Sequence, residues 1–372
     1  EYFTLPTNNL FYDYSGAFNV RTNKSSGSGD FDTVISAAQQ ARLNFIVLTD
    51  FNNFSPDLSL EAYYNNVLVI EGGEYGYLDA RIINFDFQET QHLQGPGRSQ
   101  IAFADLLSHY NPTRPEGIFV LAHPSRQRYQ LRSFPEGLDG IEIMNLKSVW
   151  EESWRSSKIS FIWTAFVYPF NAELAFLRMI IAAGDKEISI WDKLNQHHPT
   201  SGYLGSEAEA KLRLPGNLNI QFPSYSTLFS IAKNHILIRS ELTGNSVQDR
   251  KKISGALRKG QFYTSLDILQ DTHGFESYVS INKNSILPLG SEEKFKPGME
   301  LIVKLPAKPA VRFEAVIYRN GEKIMTSNSA ITSYAIHSPG VYRSVVRVKV
   351  TLPFPDGSSW LNWIVANPFY IR

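Results

Sequence analysis

The chain has 372 residues, 43% hydrophobic, 13% aromatic and 19% charged, which is the composition of a folded globular protein with room for two domains. Its 36 basic residues balance 36 acidic ones, which excludes the positive field that binding to nucleic acid or an anionic membrane draws on. There is no cysteine, so disulfides and thiolate metal sites are excluded; the absence fits an exported bacterial protein, and a chain opening on Glu1 is expected to have lost a tag, a signal peptide or a membrane anchor.

Asp30 is placed to cap a helix running through Val34, Ala37, Ala38 and Ala41. Apolar runs at Phe45–Thr49, Val67–Ile70, Ala80–Ile83, Gly117–Leu121, Gly140–Ile143 and His235–Ile238 predict buried strands. Helical spacing predicts helices over 99–109, 172–183, 186–196, 224–233 and 246–259. Ser246, with Asp249 three positions later, is the expected start of the last. Continuous apolar strands separated by helices predict a parallel sheet covered on both faces, open or closed into a barrel.

The run from Ile159 to Ala172 imitates a membrane span, but Pro169 breaks it and Asn171 and Glu173 close it. A crossing needs about 20 apolar residues. The run is too short. It is expected to be a buried helix or a hydrophobic insert packed on the domain, with an oligomer contact as the other use.

After His273 the period changes. Leu301–Val303, Phe313–Tyr318, Ile324, Tyr342–Val350 and Trp363–Ala366 read as strands with no long helical pattern between them, and Asn320-Gly321 is a hairpin turn. Val346, Val348 and Val350 share one face, and Trp360 and Trp363 read as core of a β-sandwich. His197 and His198 sit in a polar loop and read as solvated; Lys251 and Lys252 fall on the exposed side of a helix.

Several short stretches follow one another in a definite order. Gly16 to Gly27 carries Asn19, Arg21 and Ser26, and a helix from Asp30 to Leu43 follows. Then come Leu48-Thr49-Asp50-Phe51, Val69-Ile70-Glu71-Gly72-Gly73-Glu74, Leu78-Asp79 and Ala122-His123-Pro124. Leu138 to Ile143, Trp191 to Leu194 and Gly205-Ser206-Glu207-Ala208-Glu209-Ala210 complete it. Over residues 16 to about 265 this order resembles the PHP (polymerase and histidinol phosphatase) family of metal-dependent phosphoesterases.

The resemblance implies a distorted (β/α)7 PHP-like barrel over 16–270, after a lead-in at 1–15 and with an insert at about 147–185. An all-β, Ig-like sandwich would follow over 271–372. In the family, histidines and carboxylates at the C-terminal ends of barrel strands hold divalent ions that activate water and orient a phosphoester. Here Asn19 and Arg21 stand at the family's paired histidines, Ser26 at its turn aspartate and Phe51 at the histidine after Asp50. Glu207 and Glu209 stand for its closing aspartate and histidine, and Asp79 for a further histidine.

The ligand set so implied is Glu74, His123 and Glu207, with Glu209, Asp79 and Asn19 adding oxygen. It suits Mn, Mg or Ca rather than Zn, bound weakly or not at all. His123, Glu74 and Asp50 are the catalytic candidates if the site works, although Asp50 at a strand end equally suits a loop cap. Arg21 opposes any ion, since a guanidinium about 4 Å from a divalent cation is repelled by several kcal/mol at an intermediate dielectric.

Arg21 is therefore expected to replace the metal as counter-ion, pairing with some of Glu74, Glu207, Glu209 and Asp50. The function so implied is a pseudoenzyme acting in binding or assembly, outside the cytoplasm. The alternatives are an active phosphomonoester or phosphodiester hydrolase and an anion site in which Arg21 grips phosphate. The partner expected is a protein or a phosphorylated small molecule. No nucleic acid is indicated, and a membrane only through a lost N-terminal anchor.

Overall fold

A computed structural model describes residues 3–4, 9–53, 56–87, 98–126, 133–149, 164, 171–183, 185–210, 212–213, 219–220, 223–282, 285–352 and 357–372. The strands that position the site are β1 (Tyr12–Val20), β2 (Phe45–Leu48), β3 (Val67–Ile70), β4 (Gly72–Tyr77), β5 (Ala80–Phe85), β6 (Ile118–Ala122), β7 (Gly140–Asn145), β8 (Ser201–Ala208), β9 (Lys233–Ile238) and β10 (Phe262–Ser265). The helices are α1 (Phe31–Gln40), α2 (Arg98–Leu106), α3 (Ala172–Ala183), α4 (Lys186–Leu194), α5 (Tyr225–Ile231) and α6 (Ser246–Arg258). No described helix is long and apolar enough to cross a membrane. Most of the 159–172 run lies outside the described residues.

The sheet is organised around β1. One edge pairs in parallel with β2. The other edge is shared. Its first half, Tyr12–Gly16, pairs antiparallel with β9, while Phe18 and Val20 pair in parallel with β8. β2 pairs with β3, and the segment after β2 reaches β4 through the Phe51–Glu74 bridge, from which pairing passes on through β5, β6 and β7 back to β8. The pairings close on themselves. Phe18, Phe45, Phe85, Tyr203 and Phe262 are buried inside the circuit, and several of their rings meet edge-on or tilted. Each such side chain stabilises the fold by roughly 1.5–3 kcal/mol through burial.

The all-parallel expectation needs correction at β5 and at β9–β10. β4 and β5 are joined by the tight turn Leu78-Asp79, with Leu78 at φ 50°, so β5 runs back antiparallel between β4 and β6. A two-residue connection permits only an antiparallel pair; a parallel one needs a long crossover. The start of α6 is also corrected. Asn245 is its cap, accepting from Gln248 N at 3.0 Å, whereas Asp249 receives the backbone N–H groups of Thr243 and Gly244.

The C-terminal strands are β11 (Glu276–Asn282), β12 (Ser285–Leu287), β13 (Glu300–Lys304), β14 (Phe313–Arg319), β15 (Glu322–Ser327), β16 (Ile331–Ala335), β17 (Gly340–Leu352), β18 (Gly357–Ala366) and β19 (Phe369–Ile371). β12-β11-β13-β16 form one antiparallel sheet. β15-β14-β17-β18 form another, joined by β19, and Val279, Leu301, Ile317, Val346 and Trp363 from the two sheets share one core. Asn320 and Gly321 turn β14 into β15 with φ values of 51° and 83°, the left-handed pair that such a turn requires. Trp363 is core, as expected. Trp360 is half-buried instead, with Arg312 and Arg347 over its ring.

Hydrogen bonding crosses the expected division at 270/271. β10 pairs antiparallel with β18, so one sheet runs from the circuit into the C-terminal strands. Arg343 of β17 grips Asp192 of α4 through two bonds of 2.7 Å, and Asn367 accepts from Gly202 N at 2.7 Å.

Candidate functional site

Arg21 follows the last residue of β1, and its guanidinium lies among the acids that end the neighbouring strands. Nη2 donates to Glu74 of β4 and lies 3.1 Å from Glu207 of β8, while Nη1 pairs with Glu209. Arg21 is 5% exposed, Glu74 2% and Glu207 4%, so these are buried ion pairs. Two more cations join. Lys147 Nζ sits 3.1 Å from Glu207 and 3.0 Å from Glu209, and Arg81 Nε is 3.9 Å from Glu74. Among the described residues, Arg21, Lys147 and Arg81 thus face Glu74, Glu207 and Glu209, and Arg126 adds its charge at Glu207.

Ser26 and Phe51 are part of this network. Ser26 Oγ accepts from Arg21 at 3.0 Å and donates to Glu209 at 2.6 Å. Phe51 lies under the Arg81 guanidinium at 4.1 Å, and so supports the second arginine on Glu74. His123, 2% exposed, places Nε2 3.3 Å from Glu207, and its Nδ1 meets Ser148 Oγ at 2.9 Å. Burial alone would raise the Glu207 carboxyl, but His123, Arg21 and Lys147 hold it well below the ordinary range. The Arg21 guanidinium, which burial would lower, is raised by Glu74, Glu207 and Glu209. It stays charged.

Two of the expected site residues serve the loops instead. Asp50 makes no ion pair with Arg21; it accepts from Thr22 N at 2.9 Å, from Thr22 Oγ1 at 2.7 Å and from Ser25 Oγ, closing the loop after β1. Asp50 is thus the loop cap that its place at a strand end also suited, and the other three acids named for Arg21 are its partners. Asp79 is exposed on the β4–β5 turn, five residues beyond Glu74, because the tight reversal carries it out of the sheet. Asn19 is buried, but its carbonyl accepts from Thr49 Oγ1 at 3.0 Å and its amide donates to Glu142 at 2.8 Å. Its oxygen is already used.

Glu142, on β7, was missing from the expected set. It accepts from Asn19, from Asn145 Nδ2 at 2.9 Å and from His123 N at 3.2 Å. Burial dominates, and its carboxyl is raised to about 7. Gly205 makes room for it, since a Cβ there would come within 1.9 Å of Glu142 Oε1. The signal was in the sequence, where Glu142 is an acid in the middle of the apolar run Gly140–Ile143. Lys147 and Arg81 gave no such signal, because charged residues just beyond a strand or near its first residue are common.

The backbone is strained at this end of the sheet. Asn19, His123 and Glu207 all have positive φ, at 62°, 52° and 37°. Each such conformation costs on the order of 1–3 kcal/mol, and strain of this kind gathers where a site was built.

The residues do not fit a divalent cation. Arg21 and Lys147 donate into the oxygens that would bind one, and against the lowering effect of burial the surrounding glutamates raise both side chains, so each keeps its proton. Nor does the arrangement favour phosphate. Both terminal nitrogens of Arg21 are engaged by carboxylates, and Glu74, Glu207 and Glu209 surround it with negative charge.

No family model matches the chain, and no curated protein does. Among solved structures, the chain is similar to a two-domain protein from Bacteroides vulgatus ATCC 8482 that contains a predicted PHP-like metal-dependent phosphoesterase. The identity is 11% and the TM-score 0.41, covering 97% of this chain and 99% of that one.

Proposed function

We propose that the chain is a PHP-like pseudoenzyme: a distorted barrel whose catalytic metals have been replaced by fixed side-chain cations, joined to an Ig-like sandwich. It acts in binding or assembly outside the cytoplasm, toward a protein partner; the phosphorylated small molecule also expected finds no free guanidinium at Arg21. The observation that carries this reading is the Arg21 guanidinium seated among Glu74, Glu207 and Glu209. Removing metals from a carboxylate cluster leaves repulsion that must be neutralised, and Arg21, Lys147 and Arg81 do so.

The second reading, an active phosphoesterase, draws on the strained φ values of Asn19, His123 and Glu207. An assay on bis-p-nitrophenyl phosphate with added Mn separates the two. The pseudoenzyme reading expects no turnover above the Mn blank. Turnover that Glu74→Ala and His123→Ala both abolish would establish the hydrolase.

A further inference from the structure

The opposite end of β1 holds a second cluster that the resemblance does not involve. Asp13 lies second in that strand's pairing with β9, which carries His235; β10 follows with Tyr263, and the segment after it supplies Asp267, Asp271, Thr272 and His273. One ligand atom each from Asp13, His235 and His273 lies within 4.8 Å of the others.

The geometry points to a transition-metal site formed by Asp13, His235 and His273, taking zinc or a similar late first-row divalent ion. Two imidazoles and one carboxylate are the donor set such ions take in open sites, whereas Mg and Ca ask for oxygen.

Each donor is oriented from behind. Asp13 Oδ2 accepts from Tyr263 Oη at 2.7 Å and Gly274 N at 3.0 Å, which leaves Oδ1 facing His235 Nδ1 at 2.9 Å. The other nitrogen of His235 lies 3.4 Å from Asp267 and 3.3 Å from Thr272 Oγ1. His273 Nδ1 lies 2.7 Å from Asp271 Oδ1, leaving Nε2 for an ion. A carboxylate behind each metal-bound histidine is the usual supporting partner, since it fixes the tautomer and raises basicity.

The ring positions agree. The two imidazole centroids are 4.8 Å apart and steeply inclined, close to the roughly 5 Å expected when both bind one tetrahedral ion through bonds of about 2.0–2.1 Å. His235 is buried and His273 is exposed, so the ion would have both a fixed anchor and an open route in, with its fourth position toward solvent.

His235 Nδ1 and Asp13 Oδ1 face each other at 2.9 Å, and an ion held between them takes the place of the proton they share, so its binding releases that proton. Bound there, it would clip the first strand to the segment that leads into the C-terminal half.

Untagged protein stripped with EDTA and titrated with Zn2+ or Co2+ at pH 7.5 tests the site. One equivalent is expected, with the visible bands of tetrahedral Co2+ and a rise in melting temperature on adding zinc. His273→Ala, on an exposed side chain, should weaken binding at least tenfold without unfolding the protein, and Asp13→Asn should weaken it in the same direction. No binding above that of an unrelated protein, or equal affinity in parent and His273→Ala, would overturn the site. Because the pseudoenzyme reading concerns Glu74 and His123, zinc lost with His273 leaves that reading standing. Zinc lost instead with Glu74→Gln counts against both.

Discussion

At the scale of single residues, the contrast between imidazole and guanidinium decides the chemistry. A neutral histidine offers a lone pair to a metal, whereas arginine offers only N–H donors and keeps its charge. Arginine at position 21 therefore supplies a fixed cation to Glu74, Glu207 and Glu209. The other acids then fall into two groups. Glu207 is held below its ordinary range, while Glu142 is raised to about 7 and Glu71, buried away from a full ion pair, to about 8. A raised carboxyl means that the folded state holds more protons than the unfolded one, so stability is lost as pH rises from about 4.5 through 7 and 8. Glu207 works in the opposite sense, losing stability as pH falls below its unfolded value, and His198, lowered by burial, does so below about 6.5. Melting in EDTA should therefore show a maximum between about pH 5 and 6.5 and a decline toward pH 9, reduced in Glu71→Gln. A melting temperature that climbs steadily from pH 5 to 8 would contradict these assignments.

At the scale of elements, the sequence was most legible where one pattern sufficed. Phe45–Leu48 and Val67–Ile70 are uninterrupted apolar runs, and α1 begins at Asp30 as its spacing required. The strands that build the site were harder to read. β1 mixes Tyr, Asp, Ser and Asn with its apolar residues because its two halves pair with different strands. β4 is rich in glycine, and β8 carries Gly205 and Glu207 within a strand that is buried throughout. Site-bearing strands end in polar residues and positive φ, which blurs a period-two signal. The pairing of Arg21 with Glu74, Glu207 and Glu209 was legible because it followed from order along the chain and charge. Asp50, Asp79, Lys147 and Glu142 depended on which way each loop and strand turned, and only the fold fixes that.

At the scale of the molecule, the two halves share hydrogen bonds as well as a surface. β10 lies between β9 and β18, and Trp363, Tyr342 and Phe369 belong to the same hydrophobic core as residues of β1 and α1. A chain ending at residue 270 would leave one edge of β10 unpaired and strip part of that core, so it is expected to aggregate rather than give a soluble folded domain. A soluble, cooperatively melting 1–270 fragment would show that the division is a true domain boundary. Because the halves interlock, loss at one buried site should register in unfolding of the whole. Arg21→Met keeps much of the side-chain bulk and removes only the charge that Glu74, Glu207 and Glu209 share. Denaturant unfolding of this variant beside the parent is the most direct test. The buried counter-ion account predicts a loss of about 3–5 kcal/mol; a variant that unfolds at the parent's midpoint with the parent's slope would contradict it.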